Sequence, residues 1–360
     1  MNQRQNHISN IPESVWSLIN QIDHLKGQWI GGAKLNPQAL GRLKRSVLVT
    51  STGASTRIEG SKLSDEDVEK FMRGLSLQKF TDRDKQEVQG YFELLENVFT
   101  SWKHILFTEG VIKQLHRELL KYTDKDERHR GEYKKMENSV EMFDASGKSV
   151  GVIFKTTPAN LTPKRMKALV ERTADALSGK AGSGSAGKRQ EVHPLVVIGS
   201  FLVEFLAIHP FQDGNGRLSR ILTNLLLLKA GYEYVPYVSH EKLIEDNKTD
   251  YYVALRKSQS SLGTERENVT PWLEFFLTVL LEQARQAIEL LSHENIEKIL
   301  SPKQLAVWRY LEAVSEATAG DVAKSAGIAR PTVSQAIEVL LRLKKIERIG
   351  QGRTTRYRKI

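Results

Sequence analysis

The chain has 360 residues, 40% of them apolar and 27% charged, a length that favours two folding units and a mixture that excludes a disordered chain. Its net charge of +10 is concentrated, because residues 341–360 carry eight Lys/Arg against Glu347 alone, so a polyanion-facing surface is expected in that tail and not over the whole molecule. Cysteine is absent, which excludes disulfides, thiolate nucleophiles and Cys-held zinc; residues 1–10 show no apolar core of an export signal and no apolar run is long enough to span a bilayer, so a cytoplasmic protein with no membrane partner is expected.

The pattern is mostly helical. Leu94, Leu95, Val98, Phe99 and Trp102 recur at helical spacing, as do Leu273, Phe276, Leu277, Leu280 and Leu281. Thr162-Pro163, Thr270-Pro271 and Ser301-Pro302 each read as a capping hydroxyl before a first-turn proline, and Ser301 with Gln304 reads as a capping box. Two segments interrupt the helices. Val140–Phe143 and Val150–Phe154, around Asp144–Gly147, predict a β-hairpin, and residues 180–188, KAGSGSAGK, predict an exposed connector.

A domain boundary is expected near residues 292–301. Beyond it the sequence predicts helices from Pro302 to Val314, Gly320 to Ser325 (ended by Gly327) and Pro331 to Leu343, then two strands turned at Gly350 and Gly352. Three helices and a Gly-turned hairpin form a winged helix-turn-helix pattern over 301–360. For DNA contact, Thr332, Ser334 and Gln335 would lie on the third helix, with Arg353, Arg356 and Arg358 on the wing. The other use of such a module is protein contact or dimerisation.

The chemistry-bearing stretch runs from His209 to Arg220, HPFQDGNGRLSR, between a helix over Leu195–Ala207 and another over Gly216–Lys229. A Gly-rich turn opening a helix lets several backbone N–H groups converge, and with the helix dipole they form a phosphate site from Gly214, Asn215 and Gly216. Arg217 and Arg220, three apart, can clamp further phosphate oxygens. Asp213 is a hard oxygen ligand suited to Mg²⁺, and His209 can take a proton near neutral pH.

These residues resemble the Fic family signature, HxFx(D/E)GNGRxxR, at every specified position. The resemblance implies a mainly α-helical Fic fold with a core over 101–291. It further implies transfer of AMP from ATP to a Ser, Thr or Tyr hydroxyl of a target protein, or of the protein itself. His209 would deprotonate the hydroxyl, Asp213 would hold Mg²⁺, and Gly214, Asn215, Gly216, Arg217 and Arg220 would bind the phosphates. Ser55-Thr-Arg-Ile-Glu59-Gly60 resembles the family's inhibitory motif, (S/T)xxxE(G/N), here within an N-terminal helical region over 1–100. The implied lock is Glu59 paired with Arg220. The hairpin 140–154 sits where the family has a flap that docks the target by strand pairing, and Tyr251-Tyr252 resembles its adenine-side tyrosines. Gln259 stands where some relatives have Asn, and Lys134 ends a segment that commonly ends in Arg; no role is assigned to either.

Two other functions use the same residues. Glu59 could position water at the α-phosphorus, making a de-adenylylating phosphodiesterase, or the core could sense nucleotide for a DNA-binding regulator. A homodimer is a further partner compatible with a surface inhibitory helix.

Overall fold

The apolar spacing at Leu94–Phe99 becomes the buried side of α4 (Asp82–Ser101). It follows α1 (Glu13–Gly32), α2 (Pro37–Ile58) and α3 (Asp65–Met72), and precedes α5 (Glu109–Leu119). The hairpin is β1 (Ser139–Phe143) paired antiparallel with β2 (Ser149–Lys155), Ser139 opposite Lys155. Then come α6 (Thr162–Leu177), α7 (Pro194–Ile208), α8 (Asn215–Lys229), α9 (His240–Asp246), α10 (Lys248–Gln259) and α11 (Thr270–Ile299). This computed structural model describes residues 11–32, 37–74, 82–143, 149–178, 192–342, 345–350 and 355–360. The connector 180–188 and the turn 144–147 lie outside them.

The chain divides into two units, 1–288 and 289–360, within α11. In the first, the N-terminal helices are interleaved with the rest: α2 packs on α4 and α9, and α4 packs on α8. At the centre are α7, apolar but for Ser200 and Glu204, which pairs with Arg172 at 2.8 Å, and α8, buried from Arg217 to Leu228. A helix so nearly apolar all round has little face to give to water and is driven inside. That burial places the loop between α7 and α8 deep in the unit.

The second unit contains α12 (Pro302–Ala313), α13 (Ala319–Ala326) and α14 (Arg330–Arg342), then β3 (Ile346–Ile349) antiparallel to β4 (Arg356–Lys359). Its own core gathers Val307, Trp308, Leu311, Val322, Val333, Ile337, Leu340 and Ile346. Ser301 caps α12 in the expected capping box with Gln304, and Gly327, at φ 64°, ends α13. Ser334 and Gln335 are exposed on α14, Thr332 is half-buried, and Arg353 is outside the described residues. Arg356 is paired with Glu316 at 2.9 Å, and Arg358 donates through Nε to Glu347 at 2.9 Å. Arg356 and Arg358 are thus paired locally, whereas Arg348 on β3 is exposed and donates only to Thr355 Oγ1, at 3.4 Å, among the described contacts.

The chain is mainly α-helical with two short strand pairs, the fold class expected, and among the described residues no helix is long and apolar enough to cross a membrane. Two capping expectations are corrected. Thr162 is itself the first residue of α6 and caps nothing, its hydroxyl donating to Pro158 O after a 3₁₀ turn. At α11 the exposed amide of Thr270 is taken by Asn268 Oδ1, an Asx contact that removes the need for a threonine cap.

Candidate active site

His209 closes α7. Its amide still donates to Phe205 O, but its backbone turns to φ 52°, the left-handed region that a residue with a Cβ adopts at a cost of order 1–3 kcal/mol. The chain then reverses at Gly214, φ 77°, and enters α8. The turn is pinned from inside by Asn215, 1% exposed, whose side chain accepts from Phe211 N at 2.9 Å and donates to Phe211 O at 2.8 Å. The Asn215 side-chain amide is therefore engaged with the loop backbone, which leaves its own backbone N–H as its group for a phosphate.

Burial, with the Lys134 ammonium alongside, lowers the His209 imidazole to about 4. At neutral pH it is the uncharged form able to accept a proton. NMR titration of the His209 ring is expected to give a midpoint well below the ordinary value of about 6.5; a midpoint at that value would show an imidazole open to water.

Arg220 lies one turn into α8 and is 2% exposed. Its Nε donates to Ser55 Oγ at 2.8 Å, and its Nη2 donates to Ser55 O at 3.0 Å and to Glu59 Oε1 at 2.7 Å. The Glu59–Arg220 ion pair read from the two motifs is thus formed between residues 161 apart. Burial opposes the charge on Arg220, and Glu59 together with the nearby Tyr251 and Tyr91 hydroxyls outweighs it, raising the guanidinium above its usual value. Arg57 holds the turn that carries Glu59: it forms ion pairs with Glu245 at 2.6 Å and Asp65 at 2.9 Å and donates to Leu63 O at 2.9 Å.

Gly216 makes room for this lock. A Cβ there would stand 2.2 Å from Glu59 Oε1, so Gly216→Ala must push the flexible carboxylate off Arg220. The expected cost is about 1–3 kcal/mol, that of leaving a charged hydrogen-bonding group without its partner. In thermal or denaturant unfolding the cost should largely vanish when Glu59 is already Gly, and an undiminished cost would contradict the contact.

Arg217 is also 2% exposed, but it faces the other way, pairing with Glu87 at 3.0 Å and Asp213 at 3.3 Å. Its Nε has no acceptor among the described residues, which leaves a donor for an oxygen brought by a ligand. Arg83 also reaches Asp213 at 3.3 Å. Burial alone would raise the Asp213 carboxyl, but Arg217, the Gly214 amide and Arg83 together hold it below the usual range and therefore ionised. Among the described residues no three metal-type side chains converge. One ionised, partly exposed hard-oxygen ligand nevertheless fits Mg²⁺, which is commonly held by one or two carboxylates with substrate phosphates completing its shell.

Tyr251 is 4% exposed, with its hydroxyl beside Arg220 and Ser219, and its ring meets Tyr252 edge-on at 5.1 Å. Burial, opposed in part by Arg220, pushes the Tyr251 hydroxyl up to about 12. Gln259 points instead at Val203 O, 3.5 Å away.

Two residues of the site had no role assigned from the sequence. His116, fully buried, stacks on Phe211 with centroids 3.8 Å apart. Its Nδ1 accepts from Gly131 N at 2.9 Å, so Nε2 carries the proton and donates to Asp213 O at 2.9 Å. Burial lowers His116 to about 4, in keeping with a fixed neutral tautomer. The second is Lys134, 3% exposed, whose partners sit on either side of His209.

Residues 106–227 match the Fic/DOC family model. Over 82 residues the chain is 34% identical to the protein adenylyltransferase and cysteine protease IbpA of Histophilus somni, a match covering 23% of this chain and 2% of that one. Over 110 residues it is 31% identical to a probable protein adenylyltransferase of Aquifex aeolicus, covering 28% of this chain and 34% of that one. The matches thus span about a third or less of these relatives. The crystal structure of a Fic family protein from Desulfovibrio desulfuricans aligns with a TM-score of 0.60 and 25% identity over 98% of this chain and 97% of that one.

Proposed function

We propose, for a chain that carries a Fic domain over residues 106–227, that it is a protein adenylyltransferase held inactive by Glu59. The observation that carries this reading is the 2.7 Å contact of Glu59 with Arg220, at the terminus of a helix that opens on a glycine turn beside a neutral, half-buried imidazole. An anion-receptive helix start and a proton acceptor in one loop are what phosphoryl-centred transfer needs from a protein, which contributes position and charge more than covalent chemistry.

In this reading the hydroxyl of a target, aligned along the hairpin 140–154, gives its proton to His209 as its oxygen attacks the α-phosphorus of ATP. The bond from the α-phosphorus to the bridging oxygen breaks, and pyrophosphate leaves with that electron pair. The N–H groups of Asn215 and Gly216 and the free Arg217 Nε receive phosphate oxygens, and the Gly214 N–H, which donates to Asp213 Oδ1 at 2.7 Å, joins them once Asp213 turns to the metal. Asp213 would hold Mg²⁺, which supplies neutralisation of phosphate charge. Tyr251 and Tyr252 would line the adenine side. Glu59 opposes all this by occupying the guanidinium that Arg220 would offer to the terminal phosphate, so that ATP seats unproductively.

The deciding experiment is intact-mass measurement of wild type and Glu59→Gly after incubation with ATP and Mg²⁺. A gain of one AMP in the variant is expected; no gain on the protein itself or on any lysate protein would end the proposal. A cytoplasmic location belongs to this reading. For the second unit we keep the winged-helix reading as a proposal; the local pairing of Arg356 and Arg358 supports protein contact or self-association, and exposed Arg348 supports a phosphate-reading wing.

A further inference from the structure

Lys134 is a buried ammonium that forms no ion pair among the described residues, with Glu137 the carboxylate whose charge acts on it. All three of its donors are in use, to Asn138 Oδ1 at 2.7 Å, Thr156 Oγ1 at 2.8 Å and Ile208 O at 3.1 Å. Its backbone N–H donates to Pro210 O at 2.9 Å. The carbonyls immediately before and after His209 therefore end on the same residue. Asn138 continues the arrangement by donating through Nδ2 to Phe211 O at 2.9 Å, and Thr156 donates to Asn138 O at 2.7 Å.

Asn138 and Thr156 are also the residues that flank the hairpin, which starts at Ser139 and ends at Lys155. One side chain thus joins the foot of both strands to the carbonyl that precedes His209. His209 is the one described non-glycine residue with positive φ, and such a conformation persists only where its surroundings over-determine it. The bonds from Lys134 to Ile208 O and Pro210 O are that over-determination. Removing either peptide contact lets the ring swing, and misplacement of about 1 Å can cost about 100-fold in rate.

We propose that Lys134 is a positioning residue for His209, fixing the imidazole and the foot of the hairpin as one unit. The inference rests on the adenylyltransferase reading for its kinetic consequence and on geometry alone for its structural one. The charge of Lys134 has a second effect, since it disfavours the imidazolium form of His209, whereas Glu59 and Asp213 favour it.

The test compares Lys134→Met and Lys134→Arg in the Glu59→Gly background. Lys134→Met is expected to lower kcat by about 10- to 100-fold while the dissociation constant for ATP, measured by calorimetry, stays within about a factor of two, because Lys134 touches none of the proposed phosphate donors. Lys134→Arg, which keeps the charge and the donors, is expected to recover most of kcat. Independently of any transfer, the His209 NMR midpoint should move upward in Lys134→Met and not in Lys134→Arg. An unchanged kcat and an unchanged midpoint in Lys134→Met overturn the proposal. So does a loss of kcat that tracks a fallen melting temperature and is not rescued by Arg. If the Glu59→Gly parent transfers no AMP, the adenylyltransferase reading fails by itself, and the titration alone then decides for or against Lys134.

Discussion

Replacing Glu59 with glycine is expected to raise AMP transfer by roughly 10- to 150-fold over wild type. The size follows from the contact removed: a hydrogen bond between charged groups with one partner buried is worth about 1.5–3 kcal/mol, and each 1.4 kcal/mol is a factor of about ten in the population released. Arg220 keeps its two bonds to Ser55 in the variant, so the guanidinium stays aimed and only its anionic partner is exchanged for a phosphate. The measurement is the initial rate of label transfer from α-labelled ATP at saturating ATP. Equal rates in the two proteins would mean that the ion pair does not limit the reaction.

The second large effect is expected from His209→Ala, made in the Glu59→Gly protein so that activity is high enough to lose. A positioned base commonly contributes about 10²–10⁴ in rate, and a fall of that size is expected with ATP affinity preserved. The preservation matters because the imidazole makes no described contact with the Gly214–Gly216 turn; its one described side-chain contact is Nδ1 to Leu206 O at 3.4 Å. Loss of ATP binding in parallel would assign His209 to the loop's architecture instead of its chemistry. The alanine also sits at φ 52°, so unfolding should be followed beside kinetics, with His209→Asn, better suited to that conformation, as the control.

Much of the site was legible because its signals are local. A helix start, a glycine turn and two arginines lie within twelve residues, and backbone geometry forces neighbours of that kind together. The Glu59–Arg220 contact spans 161 residues and could be read only because its two ends each carry a recognisable motif. His116 and Glu87 have no such label, and Lys134, at the end of a segment that departs from the family's usual Arg, was given no role. His116 meets Asp213 across 97 positions, Lys134 meets Ile208 across 74, and Glu87 meets Arg217 across 130. Nothing periodic marks a lone buried histidine, lysine or glutamate, so packing alone reveals them. For Asn215 the position was plain, but that its side-chain amide holds its own loop depends on where Phe211 lies. The same holds for Thr162 and Thr270, where a residue outside the Thr-Pro pair decided the helix start. The helical class itself was readable from the long apolar stripes, which have no alternative that buries them.

Helix α2 gives Glu59 an unusual foundation. Ser51, Thr52, Ala54, Ser55 and Thr56 are completely buried, and the helix packs on both α4 and α9. A cut within this helix would take part of the interior with it. If Glu59 inhibits as proposed, its release is therefore expected by turning one side chain, or by fraying the exposed turn beyond Ile58, while the helix stays where it is.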